Sequence, residues 1–343
     1  MILGIGHLRR LTPEVVTFVK QLGINSVVFN TPLFSEENGE WKFEELCLLN
    51  NQCKDNGLVL EAIENVPIQF YDKVMLGLPG RDEQIEKYQR LLRNMSKAGI
   101  PILGYHFVPT FVWRTARDTP GRGGVHVTSF HEKLETKDIN QMQGTCSGRT
   151  DVKIEDEEVM WSNYKYFMDA VLPVAKEVGV KMALHPDDPP VPMVAGVHRL
   201  FISLEAYKRA EMIAGDNPMW GLDLCLGTVS EMGGCKAVNE FIDYFGPRER
   251  IHYVHFRDVQ GSVPDFQECF LGEGNYDPIM TLVRLKEKGF DGMILDDHVP
   301  QFTYDVVNPD IGWGYVSHGY ENGYIEGLLA AIKGLYSKSR RVN

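Results

Sequence analysis

Four apolar, strand-length runs end on residue types that bind metal ions. "VKMALHPDDPP" closes on His185, Asp187 and Asp188. "WGLDLCLG" carries Asp223 and Cys225, and "IHYVHFRD" ends with His255, Arg257 and Asp258. "GMILDDH" ends with Asp296, Asp297 and His298. The prolines after His185 cannot continue a central strand or a helix interior, so the first run breaks there. Taken singly, each residue has a commoner structural use. A strand-end histidine usually anchors a loop, a buried cysteine fills core volume, and an aspartate after an apolar run caps the next helix. Thiolate, two imidazoles and a carboxylate at matching places on four consecutive runs form a donor set for a divalent ion. His185, Cys225, His255 and an aspartate of the last run are therefore the candidate ligands. His255 is chosen over His252 because it lies nearer the end of its run.

Such a set needs a scaffold that brings strand ends together. Strand-length runs occur at 2–6, 24–29, 59–66, 102–108, 180–185, 220–226, 251–256 and 292–297. Amphipathic, helix-length segments alternate with them, among them "TPEVVTFVKQLG" and "DEQIEKYQRLLRNMSKAG". Several open on Thr, Ser, Asn or Asp and close on Gly, the usual helix start and stop signals. Eight such units predict an α/β fold, a (β/α)8 TIM barrel, built as a single domain over residues 1–343. A doubly wound open sheet is the alternative, and the first strand lacks the GxGxxG of its dinucleotide-binding form. A long irregular loop is expected at about 109–156, containing "RTARDTPGRGGVHVTSFH". In a barrel the active site lies at the carboxyl ends of the strands. That places Glu61 and Glu64 of strand three, Tyr105 and His106 of strand four, and Tyr315 of "GWGYVSHGYENGY" near the four runs above.

Composition narrows the function classes. A net charge of −12 argues against a nucleic-acid partner, which would need a basic face. No run approaches 18 uninterrupted apolar residues, so no membrane span is expected. "MILGIGHLRRLTPEVV" does not read as a secretory signal. Six cysteines are scattered without a CxxC pair, which fits reduced thiols in the cytoplasm.

These residues resemble the mannonate dehydratase family. "MALHPDDPP" is similar to its signature stretch, "GYHFVPTFVWRT" to its strand-four segment, "YFGPRERIHYVHFRD" to the segment carrying its second metal histidine, and "GYVSHGYENGYIEGLLAAI" to its C-terminal helix. The resemblance covers most of the chain and implies a xylose-isomerase-like barrel. It implies His185, Cys225, His255 and Asp297 as ligands of Mn2+ or Fe2+, while the donor types also suit Zn2+. It implies His298 and Tyr315 as the catalytic acid and base, without deciding which is which. The expected reaction is dehydration of a sugar acid, D-mannonate to 2-keto-3-deoxy-D-gluconate, by a homo-oligomer. Arg257 and Arg114 would hold the substrate carboxylate, because a guanidinium fork matches it. Asp187, Asp188 and His106 would bind hydroxyls or support the ligands. Two departures stand out: "LDDH" where the family has Arg-Pro before Asp-His, and "CLGT" where the family has Thr-Gly after the cysteine. Asp296 would then add negative charge near the substrate carboxylate. A metal-dependent isomerase or epimerase using Glu61, Asp223 and Asp258, or a non-catalytic sugar-acid binding protein, are the alternatives.

Overall fold

The eight apolar runs close into one barrel in the computed structural model, which describes residues 1–37, 39–134 and 151–339. The strands are β1 (Ile2–Leu8), β2 (Ser26–Asn30), β3 (Val59–Glu64), β4 (Ile102–Tyr105), β5 (Lys181–Leu184), β6 (Trp220–Cys225), β7 (Ile251–His255) and β8 (Met293–Leu295). Each pairs in parallel with its neighbours in the chain. β8 closes the ring on β1, with Ile2 opposite Met293 and Gly4 opposite Leu295. All eight strands fall where apolar runs were read, because a strand covered on both faces has no polar alternation to blur it.

The outer layer is α1 (Pro13–Gln21), α2 (Phe43–Asp55), α3 (Arg81–Ala98), α4 (Glu157–Val178), α5 (Leu204–Ala214), α6 (Leu226–Phe245), α7 (Pro278–Glu287) and α8 (Tyr315–Ser339). Thr12, Asp156, Ser203 and Asp277 cap α1, α4, α5 and α7 by accepting from early backbone N–H groups. Phe167 of α4 joins the layers, packing on Tyr88 of α3, Tyr105 of β4 and Phe107. Burying such a ring contributes about 1.5–3 kcal/mol. Inside the barrel Gly104 leaves room for Tyr253, whose hydroxyl would lie 2.3 Å from a Cβ there. None of the described helices is long and apolar enough to cross a membrane.

The segment after β4 departs from the expected irregular loop. Ala116–Pro120 and His126–His131 form an antiparallel pair. Asp265–Cys269 pairs with His126–His131, and Asp258–Ser262 pairs with Asp265–Cys269. The result is a four-stranded sheet built from the excursions after β4 and β7. "HVTSFH" carries the β-branched and aromatic residues of a strand, but one of its two partners, Asp265–Cys269, lies more than a hundred residues away and cannot be read locally. Residues 135–150 of the expected loop lie outside the described residues.

Candidate metal centre

His185, Cys225, His255 and Asp297 each offer a donor atom, and the four atoms lie within 4.8 Å of one another. All four side chains are buried. The barrel accounts for this convergence. β5 ends at Leu184, and the backbone N–H of His185 still donates to the Tyr105 carbonyl, so its ring leaves from the barrel rim. β6 passes straight into α6, which makes Cys225 the residue before the first helical turn. His255 ends β7, and Asp297 follows β8 by two residues.

Hydrogen bonds fix which atom each ring presents. His185 Nδ1 lies 2.7 Å from the Pro186 carbonyl, an acceptor only, so Nδ1 carries the proton and Nε2 keeps its lone pair. His255 Nε2 donates to Glu64 Oε2 at 2.9 Å, while its buried Nδ1 has no hydrogen-bond partner. Glu64 is held in turn by Asn30 Nδ2 and Asn65 Nδ2 at 3.0 and 3.3 Å. A carboxylate behind a ligating imidazole is a common support for a metal site. Burial raises the Cys225 thiol, but the Arg257 guanidinium and the His185 and His255 imidazoles outweigh it and hold the thiol well below its ordinary value. Burial lifts Asp223, beneath the cluster, to about 8 against the pull of His255 and His185. The donor set, the orphaned Nδ1 of His255 and the depressed thiol fit a divalent cation.

A cavity opens on this cluster. Five of the chain's ten histidines line it: His7, His106, His185, His255 and His298. That concentration exceeds what loop anchoring requires. Burial lowers His106 well below its ordinary value, and its ring lies 4.3 Å from that of His185. His298 packs beside Asp297, with Nε2 3.8 Å from Asp297 Oδ1. His7 and His298 both adopt positive φ, at 60° and 43°. Such backbone strain in non-glycine residues gathers at functional sites.

The structure sends other expected site residues elsewhere. Arg114 and Arg257 are buried and do not line the cavity. Both arginines grip Asp188, with Arg114 Nη2 and Arg257 Nη2 each 2.7 Å from its Oδ2. Both also reach Glu268 Oε1 at 2.9 Å. Glu231 completes the group, its carboxyl raised well above the ordinary range by burial and by Asp188. Asp188, Glu231 and Glu268 thus surround the two guanidiniums, and their forks are filled from within the protein. Asp187 ties its loop, accepting from the backbone N–H groups of Leu200 and Phe201 at 2.8 and 3.1 Å.

Tyr315 also stays outside the lining. It opens α8, packs at a tilt on Phe18 of α1 and accepts from Asn308 Nδ2 at 2.8 Å. Partial burial and Glu14 push its hydroxyl up to about 12. Trp313, two residues earlier, takes the place on the wall, edge-on to His7 at 4.4 Å. Asp296 does not charge the cavity, because it pairs with His318 of α8 at 2.5 Å on the helix side. Of the carboxylates for an isomerase-type site, Glu61 accepts from Ser26 Oγ, and Asp258 ties backbone N–H groups of Val259, Gly274 and Asn275. His252 packs against the Met219 carbonyl, and burial lowers it to about 3.

Several lining residues had a readable signal. His7, Asn30 and Asn65 sit at or just past the ends of β1, β2 and β3, where the strand-end rule applies equally. Arg9 adds a guanidinium to the wall. Gly227 of the "CLGT" stretch has a packing reason. A Cβ on Gly227 would stand 2.6 Å from Arg257 Nη1 and 2.7 Å from its Cγ. Arg257 is locked by buried carboxylates and cannot swing away. Gly227→Ala is therefore expected to cost roughly 1–3 kcal/mol, read as a lower denaturation midpoint, with turnover reduced as Arg257 shifts.

Comparison with known proteins shows the family. The chain matches the D-mannonate dehydratase (UxuA) family over residues 10–339. It belongs to that family. It is 30% identical over 341 residues to mannonate dehydratase 2 of Halalkalibacterium halodurans, covering 92% of this chain and 94% of that protein. It is 30% identical over 340 residues to the mannonate dehydratase of Thermotoga maritima, covering 90% of each. The mannonate dehydratase structure from Streptococcus suis serotype 2 superposes with a TM-score of 0.82 at 26% identity, over 96% of this chain and 93% of that one. The resemblance read from the "HPDDPP" stretch and its companions therefore holds over nearly the whole chain.

Proposed function

We propose that this cavity dehydrates D-mannonate, with a divalent cation held by His185, Cys225, His255 and Asp297 and with His298 as a proton-transfer group. The chain is a hydro-lyase of the D-mannonate dehydratase family. The observation that carries the site assignment is the four-residue donor cluster with His298 beside it on the same cavity wall. When bound, the cation supplies Lewis-acid stabilisation to the substrate carboxylate and an adjacent hydroxyl. Manganese or iron(II) is the reading that the family resemblance favours, and the thiolate donor also suits zinc.

The chemistry removes water across C2 and C3. A base takes the proton from C2, and that bond's electron pair forms the C2–C3 double bond. The C3–O bond breaks, and the leaving hydroxide accepts one proton to depart as water. The resulting enol becomes the 2-keto group. One group must accept a proton and one must donate. His298 is one of the pair. His7 stands across Trp313 from it, with ring centroids 6.4 Å apart, and is the second imidazole in position. Arg9, Asn30 and Asn65 give the wall its donors for carboxylate and hydroxyl oxygens. A cytoplasmic location suits the five described cysteines, all of them free.

The test is product formation. After chelation and re-addition of manganese, the protein should convert D-mannonate to a 2-keto-3-deoxy acid. Metal-loaded protein that returns mannonate unchanged, or an epimer at C2, overturns the dehydratase assignment.

A further inference from the structure

We propose that Glu268 is a positioning residue for His298, held in place by the four-stranded sheet beside the barrel mouth. The inference rests on His298 acting in the proposed reaction. Glu268 lies outside the barrel, on Asp265–Cys269, in the excursion that follows β7. His298 follows β8. The two meet through one contact, His298 Nδ1 to Glu268 Oε1 at 2.9 Å. An ionised carboxylate only accepts, so Nδ1 carries the proton. In the neutral ring Nε2 then keeps its lone pair, on the side of Asp297.

Three features separate this contact from an incidental surface pair. First, Glu268 is 1% exposed, so its oxygens do not rotate freely in water. Second, its plane is clamped. Arg257 Nη1 lies 2.9 Å from both of its oxygens, and Arg114 Nη2 lies 2.9 Å from Oε1. Arg114 comes from the segment after β4 and Arg257 from the end of β7, so the clamp spans two excursions. Third, His298 has a φ of 43°, a conformation that local preference does not supply. A side-chain tether to a rigid partner fixes a ring whose backbone does not. The small sheet thereby gains a role: Asp265–Cys269 is braced by Phe266 against Phe130 and by pairing with His126–His131. It also explains why two arginines lie beside the cavity without lining it.

A double-mutant cycle tests the assignment in the metal-loaded full chain. Glu268→Gln keeps the side chain's size and removes its charge. It should lower kcat on D-mannonate about 10–100-fold, the range seen when outer partners of a site are lost. KM should stay within about twofold, and metal content should be unchanged. In a His298→Asn background the same change should cost nothing further in kcat, because the group it positions is gone. Equal losses in both backgrounds, or a raised KM and lost metal at unchanged kcat, overturn the proposal. If Glu268→Gln does not fold, Glu268→Asp keeps the charge that the arginines require and shortens the reach to His298, with the same split expected. A substrate-free readout separates this proposal from the reaction assignment. In zinc-loaded, 15N-histidine protein, the ring signals missing from His298→Asn should report a protonated Nδ1 in the parent. They should shift in Glu268→Gln, where a neutral amide replaces the carboxylate acceptor. A protonated Nε2 in the parent refutes the tether, whatever the substrate is.

Discussion

His298→Asn should retain its metal and lose turnover by about 10²–10⁴-fold, the range assigned to a positioned acid–base group. Asparagine is the informative replacement for three reasons. Its Nδ2 falls near the place of Nδ1 and can still donate to Glu268, so the buried charge network keeps its partner. It tolerates the left-handed backbone that His298 adopts at φ 43°. It lacks any group at the position of Nε2. The variant therefore removes the proton-transfer nitrogen and little else, and its melting temperature should match the parent's closely. Steady-state rates on D-mannonate, with metal counted per chain, decide the matter. A variant with parental kcat would remove His298 from the reaction and leave His7 as the acid–base group on the wall. A variant that also loses metal would show that His298 supports Asp297 rather than the substrate.

The strength of that prediction reflects what a sequence can carry. The donor cluster was readable because each member sits at the end of a barrel strand, and strand ends are fixed by local pattern. His185, Cys225, His255 and Asp297 each close an apolar run, and the barrel brings run ends together without help from loops. The same rule reaches His7, Asn30 and Asn65, whose runs end less abruptly. Loops are another matter. Trp313 and Tyr315 are two residues apart, and the choice between them depends on a turn closed by Gly312 N to Asn308 O and Asn308 N to Trp313 O. That turn aims Trp313 at His7, while Tyr315 opens α8 against Phe18.

Long-range charge pairing was also hidden. Arg114 and Arg257 have the right chemistry for a substrate carboxylate, but residue type does not reveal that a carboxylate is already there. Asp188, Glu231 and Glu268 come from three separate segments, and only the folded chain shows them filling both forks. The "LDDH" departure follows the same logic. Asp296 reads as an unwanted charge until His318, twenty-two residues on, is seen to face it. The strand-eight difference therefore changes the contact with the helix layer and adds no carboxylate to the cavity.

Cys225→Ser should weaken divalent-metal binding by more than about 100-fold, beyond the 10–100-fold that outer partners carry. The thiolate is the softest donor in the set, and a serine hydroxyl remains protonated in its place. The surroundings favour the anion: Arg257, His185 and His255 together outweigh the penalty of burial. Thr228 Oγ1 lies 3.2 Å from Sγ and offers a serine hydroxyl a hydrogen-bond partner, so the substituted site is not left with a buried orphan. The fold should survive with a melting temperature near that of the parent, since β6 and α6 meet at this residue through backbone bonds. Competition against a chelator measures the affinity directly. In cobalt-substituted protein the sulfur-to-metal charge-transfer absorption should vanish with the thiol. Parental affinity with that absorption gone would mean that three ligands suffice and that Cys225 tunes the ion without holding it. Parental affinity in a parent that never shows the absorption would remove Cys225 from the centre, leaving His185, His255 and Asp297 as the metal's protein ligands.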